Sequence, residues 1–190
     1  MKGCGFMPLP HKEYYTAGDF YKMPEDVRAE LIDGQIYDMA APDSLHQAIS
    51  GELHLVIGNY IKGKGGKCRI FAAPFDVQLN EKEDTVLEPD LTVICDRGKI
   101  TRHGCVGAPD WIIEIVSPSN SRHDYITKLG LYSDAGVKEY WIVDAERQRI
   151  SVYNFEITGL IANVYTFDAP IKVGIYEDLT INFKELDLEL

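Results

Sequence analysis

The sequence predicts an α/β (α+β) fold, in which two main helices pack on a mixed β-sheet that has extra N- and C-terminal strands. Two segments, Ser44–Ile61 and Asp124–Ala135, have the apolar spacing of amphipathic helices. Short β-branched and aromatic segments surround them, and turn residues such as Ser117–Ser121 separate these segments. The chain has 190 residues, which suits one compact core, so we expect a single domain over residues 1–190.

The N-terminal half begins with a leader and two helices of unequal length. Residues 1–15 are expected to form a loose leader, and Thr16–Met23 is a candidate short helix. The first long helix, Ser44–Ile61, can be capped by Asp43 or by Ser44, since either side chain can accept a hydrogen bond from the first turn.

Strands are predicted where β-branched and aromatic residues lie between turn signals. Asp33-Gly34 indicates a hairpin, because both central residues of a type I′ turn need positive φ. Glu30 lies on the first strand of that hairpin, and Pro89 marks a bend or an edge position in a later strand. The predicted strands are Ala29–Ile32, Gln35–Met39, Arg69–Ala72, Phe75–Leu79, Leu87–Ile94, Trp111–Val116, Glu139–Asp144, Ile150–Phe155, Val164–Phe167, Ile171–Ile175 and Leu179–Phe183.

The cysteines and the apolar stretches indicate a soluble, cytoplasmic protein. Four cysteines, at positions 4, 68, 95 and 105, form no C-x-x-C pair and have no zinc-site spacing. Scattered free cysteines are typical of a reducing cytoplasm. The apolar run at the N-terminus is too short for a signal peptide, and none approaches the ~20 residues of a membrane helix.

The net charge of −11 argues against nonspecific nucleic-acid binding over the whole surface. Two short runs are nevertheless basic, and each is most simply a solvated loop. The alternative is that they contact phosphates around an acidic, metal-filled site. The runs are Lys62, Lys64, Lys67 and Arg69, and Arg97, Lys99, Arg102 and His103.

Glu114 is the clearest anomaly in the sequence. It stands within the otherwise apolar strand Trp111–Val116, and a buried carboxylate is costly unless it is paired, hydrogen-bonded or bound to a metal. Strand alternation offers an alternative, in which Glu114 points to a polar face or to the strand end. On Glu114 alone, the two interpretations are equally well supported.

A second acid, Asp90, favours a shared metal site. It precedes the apolar segment Leu91–Ile94, although an acid in a turn before a strand is also common. Two adjacent strands that each present one acid could place both carboxylates at one edge of the sheet. Mg²⁺ commonly binds one or two carboxylates and keeps several waters. Glu30, on the predicted hairpin, is a third candidate acid.

Lys128 lies on the helix that follows the strand of Glu114. Its spacing favours a salt bridge with Asp124, because an acid four residues before a lysine is the favourable order on a helix. The functional alternative is that the ammonium group orients an attacking water or stabilises charge on a phosphate.

Taken together, these motifs resemble the PD-(D/E)XK nuclease superfamily and, within it, the bacterial Uma family of restriction-endonuclease-like proteins. The resemblance extends from about Thr16 to Phe155. It implies a restriction-endonuclease-like core and a metal-dependent endonuclease that hydrolyses phosphodiester bonds in DNA. The matching motifs are Pro89-Asp90, Ile113–Ser119, Glu30–Gly34, His46 at the start of the first long helix, Lys128 with Tyr132, and Gly136–Asp144.

The resemblance also implies a role for each site residue. Asp90 and Glu114 would hold one or two Mg²⁺ or Mn²⁺ ions, with the backbone carbonyl of Ile115 as a further ligand. The superfamily usually has a lysine two residues after the second acid, where this chain has Val116. The family resemblance therefore assigns that catalytic role to Lys128.

Two further site residues follow from the resemblance, each with a structural alternative. Glu30 would be an accessory catalytic acid, and His46 would be a substrate-binding neighbour of the site. A histidine at a helix N-terminus can also simply pack or cap. Tyr132 and Trp141 are expected to be core aromatics and not base-stacking groups.

A rival function is a catalytically inactive nuclease fold that serves as a binding or regulatory module. Val116 and the net charge of −11 favour that rival, whereas the retention of Asp90, Glu114 and Lys128 favours an enzyme. Hydrolysis of another substrate by the acid pair, such as a glycoside, is a third alternative. An exposed hairpin and apolar C-terminal strands are compatible with a homodimer.

Overall fold

The computed structural model describes residues 13–24, 27–80, 83–116 and 123–188, with 123 and 124 described by their backbone alone. The helices are α1 (Ala17–Phe20), α2 (Ser44–Gly63), a π-helix (His123–Lys128) and α3 (Leu129–Ala135), with short 3₁₀ turns at Arg97–Lys99 and Phe183–Glu185. The strands are β1 (Ala29–Ile32), β2 (Gln35–Asp38), β3 (Arg69–Ala72), β4 (Asp76–Gln78), β5 (Val86–Leu87), β6 (Leu91–Ile94), β7 (Gly104–Val106), β8 (Trp111–Val116), β9 (Glu139–Asp144), β10 (Arg149–Asn154), β11 (Asn163–Thr166), β12 (Ile171–Lys172) and β13 (Thr180–Ile181).

Within these residues the strands form a six-stranded, a five-stranded and a two-stranded sheet. The six-stranded sheet has the order β11-β10-β9-β8-β6-β3, and the five-stranded sheet has the order β2-β1-β5-β4-β7. In the larger sheet β8 and β9 are parallel and their neighbours are antiparallel, so the predicted mixed sheet is confirmed. β12 and β13 pair separately.

Strand β8 is central to the larger sheet, as predicted, and all six of its residues are buried. Its side chains alternate between two apolar clusters, one on each face of the sheet. Ile113 packs with Leu53 of α2 in the first cluster, whereas Ile112 packs with Tyr132 of α3 in the second. The two main helices therefore cover opposite faces of the strand that carries Glu114.

Pro89 separates two strands that the sequence pattern had joined. The predicted strand Leu87–Ile94 is in fact β5, in the five-stranded sheet, and β6, in the six-stranded sheet. Proline has no N–H to donate to a ladder, so regular pairing cannot continue through it. Glu88-Pro89-Asp90 consequently connects the two sheets and brings the end of one beside the start of the other.

The helix boundaries differ in detail from the expectations. Asp43 caps α2 by accepting a hydrogen bond from the backbone N–H of His46 at 2.8 Å, and the helix continues through Gly63. Thr16 is the N-cap of α1, so that helix is shorter than the predicted Thr16–Met23. Within the described ranges, no helix combines the length and the hydrophobicity that a membrane span requires.

The second long helix begins as a π-helix over His123–Lys128 and becomes α-helical at Leu129. Gly136 ends it in the left-handed conformation, with φ of 89°, as a glycine C-cap does. π-turns inside helices occur frequently at functional sites, and this one ends at Lys128. The predicted turn over Ser117–Ser121 lies outside the described residues.

The N-terminal hairpin forms as predicted, with Asp33 and Gly34 at φ of 48° and 77°. Of the expected leader, only residues 13–15 are described, and Tyr15 donates a backbone hydrogen bond to Gly34 at 2.8 Å. The C-terminal strands are shorter than their predicted segments. Strand β7 had not been predicted; it lies parallel to β4.

Two of the four cysteines form a disulfide, so the expectation of scattered free cysteines was wrong for this pair. Cys68 and Cys95 extend the antiparallel register in which Arg69 lies opposite Ile94. Strand pairing therefore places the two thiols opposite each other, 27 residues apart in sequence. No local cysteine spacing reveals such a pair. Cys105 is free and buried.

Candidate active site

A cavity of about 1400 Å³ opens beside the connection between the two sheets and the first turn of α2. It collects residues from β1, β2, β8, α2, the π-helix and the Glu88-Pro89-Asp90 connection, which are far apart in sequence. Every predicted site residue lines this cavity: Glu30, His46, Asp90, Glu114, Ile115 and Lys128. The structure thus brings the whole predicted set together, and their chemical roles remain a proposal.

The ammonium group of Lys128 bridges two buried carboxylates. Its Nζ lies 2.9 Å from Oε1 of Glu30 and 2.9 Å from Oε1 of Glu114, and all three side chains are at most 6% exposed. Burying one cation between two anions offsets much of the desolvation cost of each charge. The ion pair predicted with Asp124 falls on a side chain outside the described ones.

Glu114 is held through one oxygen by two residues of the same helix. Tyr132 donates to Oε1 of Glu114 at 2.7 Å, and Lys128 donates to the same oxygen at 2.9 Å. Residues four apart lie on one helix face, which explains why both reach the same carboxylate. Burial, followed by the charge of Glu114, raises the pKa of Tyr132 well above its usual value, so this phenol stays a hydrogen-bond donor.

The carboxylate of Glu30 ties strand β1 to the connection between the two sheets and to Lys128. Besides pairing with Lys128, its Oε1 accepts a hydrogen bond from the backbone N–H of Glu88 at 3.0 Å. Glu88 also forms an ion pair with Arg28, which lines the cavity. These contacts fix the sheet connection that presents Asp90 to the cavity.

Asp90 stands opposite Glu114, one position beyond the last β6–β8 pair, in which Leu91 lies opposite Ile113. Its Oδ2 accepts a hydrogen bond from the backbone N–H of Ile115 at 2.6 Å, and Oδ1 lies 3.1 Å from Nε2 of His46. The two predicted metal-binding acids are therefore next to each other at the edge of the cavity.

His46 contacts the predicted metal ligands directly. Burial lowers the pKa of the imidazole, but the hydrogen bond and charge of Asp90, with smaller contributions from the charge of Asp43 and the backbone of Ile115, raise it, and the net shift is upward. Nδ1 of the ring is buried and has no hydrogen-bond partner among the described residues. The histidine therefore orients Asp90 and is more than a helix-terminal packing residue.

The side chains suit an ion that keeps much of its own water. Among the described residues, no three or more His, Cys, Asp or Glu side chains are arranged to enclose a metal ion. Two adjacent carboxylates and a backbone carbonyl are nevertheless the hard oxygen set through which Mg²⁺ binds, with waters completing its shell. The residues present therefore fit Mg²⁺ or Mn²⁺ better than a metal that needs a closed protein cage.

Sequence reasoning overlooked two contributors to the site. Tyr132 is a buried core aromatic, as expected, but the donation of its hydroxyl to Glu114 was not foreseen, although its spacing of four residues from Lys128 was the available signal. Arg28 had no signal in the sequence pattern.

The predicted basic run that ends at Arg69 lies away from Asp90. Arg69 is the first residue of β3, whereas Ala72, at the other end of that strand, pairs with Leu91, which follows Asp90. It therefore does not surround the cavity.

The sequence that carries this arrangement matches a known protein family over most of its length. The Uma2 family, described as "Putative restriction endonuclease", matches residues 17–183. The chain belongs to this family. The matched range includes every residue of the candidate site, so the resemblance read from the motifs is confirmed.

Two proteins that resemble this chain support its membership of the family. A crystal structure from Anabaena variabilis ATCC 29413, described as "a putative nuclease", superposes with a TM-score of 0.74 and 26% sequence identity. The match covers 90% of this chain and 96% of that one. An uncharacterised protein of Synechocystis sp. is 28% identical over 142 residues, or 73% of each chain. This Uma2 protein therefore has a nuclease-like fold and belongs to a family of nuclease-like hydrolases.

Proposed function

We propose that this chain is a metal-dependent endodeoxyribonuclease that hydrolyses phosphodiester bonds in DNA. The observation that supports this most is the convergence of Glu30, Asp90, Glu114 and Lys128 on one cavity. Three acids and one buried lysine are costly to assemble, and they contribute little to a binding module that has no chemistry to perform. Membership of the nuclease family is the second support.

Asp90, Glu114 and the backbone carbonyl of Ile115 would hold Mg²⁺ or Mn²⁺. When bound, such an ion lowers the pKa of its water and neutralises charge that develops on the phosphate. Lys128 and Tyr132 both donate to Oε1 of Glu114, so they fix the orientation in which this carboxylate would meet the ion.

Lys128 supplies a fixed positive charge beside the two acids. Because Glu30 and Glu114 hold its ammonium group from two sides, little reorganisation is needed when negative charge develops on a phosphate in the cavity. Val116, at the usual lysine position, packs in the second apolar cluster. A lysine on the neighbouring helix face therefore supplies the charge that this strand position cannot.

The remaining site residues position those groups. His46 and the N–H of Ile115 hold the two oxygens of Asp90 in one orientation. Arg28 lies on the cavity wall, where it pairs with Glu88, and would contact a phosphate outside the reacting centre.

The proposal is tested by incubating the purified protein and supercoiled plasmid DNA with Mg²⁺ or Mn²⁺. The wild type should nick the plasmid, whereas Asp90→Asn and Glu114→Gln should not. Glu177→Gln is the matched control, because it removes the charge of an exposed carboxylate that does not line the cavity. The metal should also raise the thermal midpoint of the wild type and the control but not that of Asp90→Asn.

DNA binding without cleavage under both metals would contradict the proposal and favour the regulatory module. Equal thermal shifts in the wild type and Asp90→Asn would contradict the assignment of the metal ligands. The homodimer and the cytoplasmic location stay predictions. Sedimentation velocity of the purified protein tests the first of them.

A further inference from the structure

A second cavity, of about 390 Å³, adjoins the candidate active site. Val27, Pro74 and Glu88 line both cavities, so the two are neighbours across a shared wall. A volume of this size is within the range of small-molecule sites. A nucleic-acid strand with a phosphate in the first cavity would thus have a nucleotide beside the second.

Aromatic rings form much of the wall of this second cavity. The rings of Tyr21 and His103 lie 4.9 Å apart at an interplanar angle of 34°, and Phe20 meets Tyr21 edge-on at 5.6 Å. Phe75 lines the same space. Aromatic faces are the surfaces on which unpaired bases stack, and Arg102 at the same cavity adds a positive charge.

One carboxylate in the second cavity is not used by the proposed nuclease mechanism. Asp76 lines this space, and in the part of the chain that the structure describes its side chain has no hydrogen-bond or ion-pair partner. Burial, and then the charge of Glu88, raises its pKa to about 6, so it is mostly ionised at neutral pH. Tyr21 lines the same cavity, and burial, followed by the charge of Asp76, raises the pKa of this phenol to about 12.

Gly104 explains how Asp76 is kept at this position. Strand β7 passes so close to β4 that a Cβ on Gly104 would lie 2.1 Å from the backbone oxygen of Asp76, and its φ is +142°. Only glycine permits this approach. The close contact fixes the backbone of Asp76 beside the loop that carries Arg102 and His103.

We infer that the second cavity binds an unpaired guanine base, which stacks against the aromatic wall and donates its N1–H and N2–H to the carboxylate of Asp76. Guanine is the common base that presents two adjacent donors on one edge, and a carboxylate accepts two parallel hydrogen bonds. Adenine, cytosine and thymine present a donor beside an acceptor on that edge. The inference deepens the proposed function, since it names the base beside the cleaved phosphate.

The test is calorimetric titration of the metal-free wild type with guanosine, inosine and adenosine 5′-monophosphates. Guanosine monophosphate should bind at least about tenfold more tightly than adenosine monophosphate, because one bidentate pair discriminates at that level. Inosine monophosphate lacks the N2 amine and should fall between them. Asp76→Asn should remove the preference for guanine, whereas Asp134→Asn, an exposed carboxylate on α3, should keep it.

Equal binding of the guanosine and adenosine monophosphates, or the same preference in Asp76→Asn, would overturn the inference. Tyr21→Leu should weaken binding of all three nucleotides, and unchanged binding would overturn the stacking wall. The titration needs neither metal nor cleavage. A protein that nicks plasmid DNA but shows no guanine preference would therefore contradict this inference alone, and one that prefers guanine but does not nick would contradict only the proposed nuclease activity.

Discussion

Replacing Lys128 with methionine isolates the energetic cost of the candidate site. Lys128 forms ion pairs of 2.9 Å with Glu30 and with Glu114, and its side chain is 6% exposed. At an effective dielectric constant of about 20, each pair gains roughly 6 kcal/mol of Coulomb energy, most of which the desolvation of the three charges offsets. Lys128→Met keeps the side-chain length but leaves two buried carboxylates without their cation.

We expect Lys128→Met to lower the free energy of unfolding by about 3–5 kcal/mol, the usual cost of removing one partner from a buried ion pair. For a chain of this size, that loss lowers the thermal midpoint by roughly 10 °C. Urea unfolding, followed by tryptophan fluorescence, measures the change in free energy, and differential scanning calorimetry measures the midpoint.

Lys138→Met is the matched control for this prediction. Lys138 pairs with Asp110 at 2.8 Å, but its side chain is 48% exposed, so the expected cost is about 0–1 kcal/mol. If the two variants lose the same free energy, Lys128 does not neutralise buried charge, and the argument for a pre-organised site fails. A Lys128→Met protein as stable as the wild type would refute it equally.

Two further predictions concern groups outside that ion pair. Burial and the charge of Glu88 raise the pKa of Asp76 to about 6. Between about pH 4 and 6 the folded protein therefore keeps a proton on Asp76 that the unfolded chain has lost. The free energy of unfolding consequently falls as the pH rises through this range. Asp76→Asn should therefore be more stable than the wild type to urea at about pH 8, and the difference in free energy of unfolding should shrink towards about pH 4. A difference that stays constant with pH would contradict the raised pKa. The disulfide of Cys68 with Cys95 spans 27 residues, for which chain entropy gives about 3–4 kcal/mol. Dithiothreitol should lower the midpoint of urea unfolding of the wild type but not that of a variant with serine at both positions. Equal midpoints of the wild type with and without dithiothreitol would count against the disulfide.

Local patterns were sufficient for most of the elements and for the identity of the site residues. Strand β8 was predicted with its observed bounds, because a continuous apolar run between turn residues is typical of a buried central strand. The hairpin at Asp33-Gly34 was predicted because its turn chemistry is local. Glu114 was singled out because a carboxylate in such a strand violates the apolar pattern.

The partners of those residues were decided by the tertiary structure. Sequence spacing favoured Asp124 as the partner of Lys128, and that side chain lies outside the described ones; only the folded chain shows that this lysine pairs with Glu30 and Glu114. Pro89 was predicted to bend one strand, but only the arrangement of the sheets shows that the chain passes there from one sheet to the other. Strand pairing likewise joined Cys68 to Cys95.

The sequence by itself determined which residues carry the chemistry, because an acid or a lysine is a property of the chain and a buried acid is visible against its neighbours. Tertiary structure decided which atoms those residues touch. Lys128 and Glu30 are about 100 residues apart, and their contact depends on the register of two sheets and on how a helix crosses them. Those are non-local quantities, which no periodicity of 2 or 3.6 residues encodes.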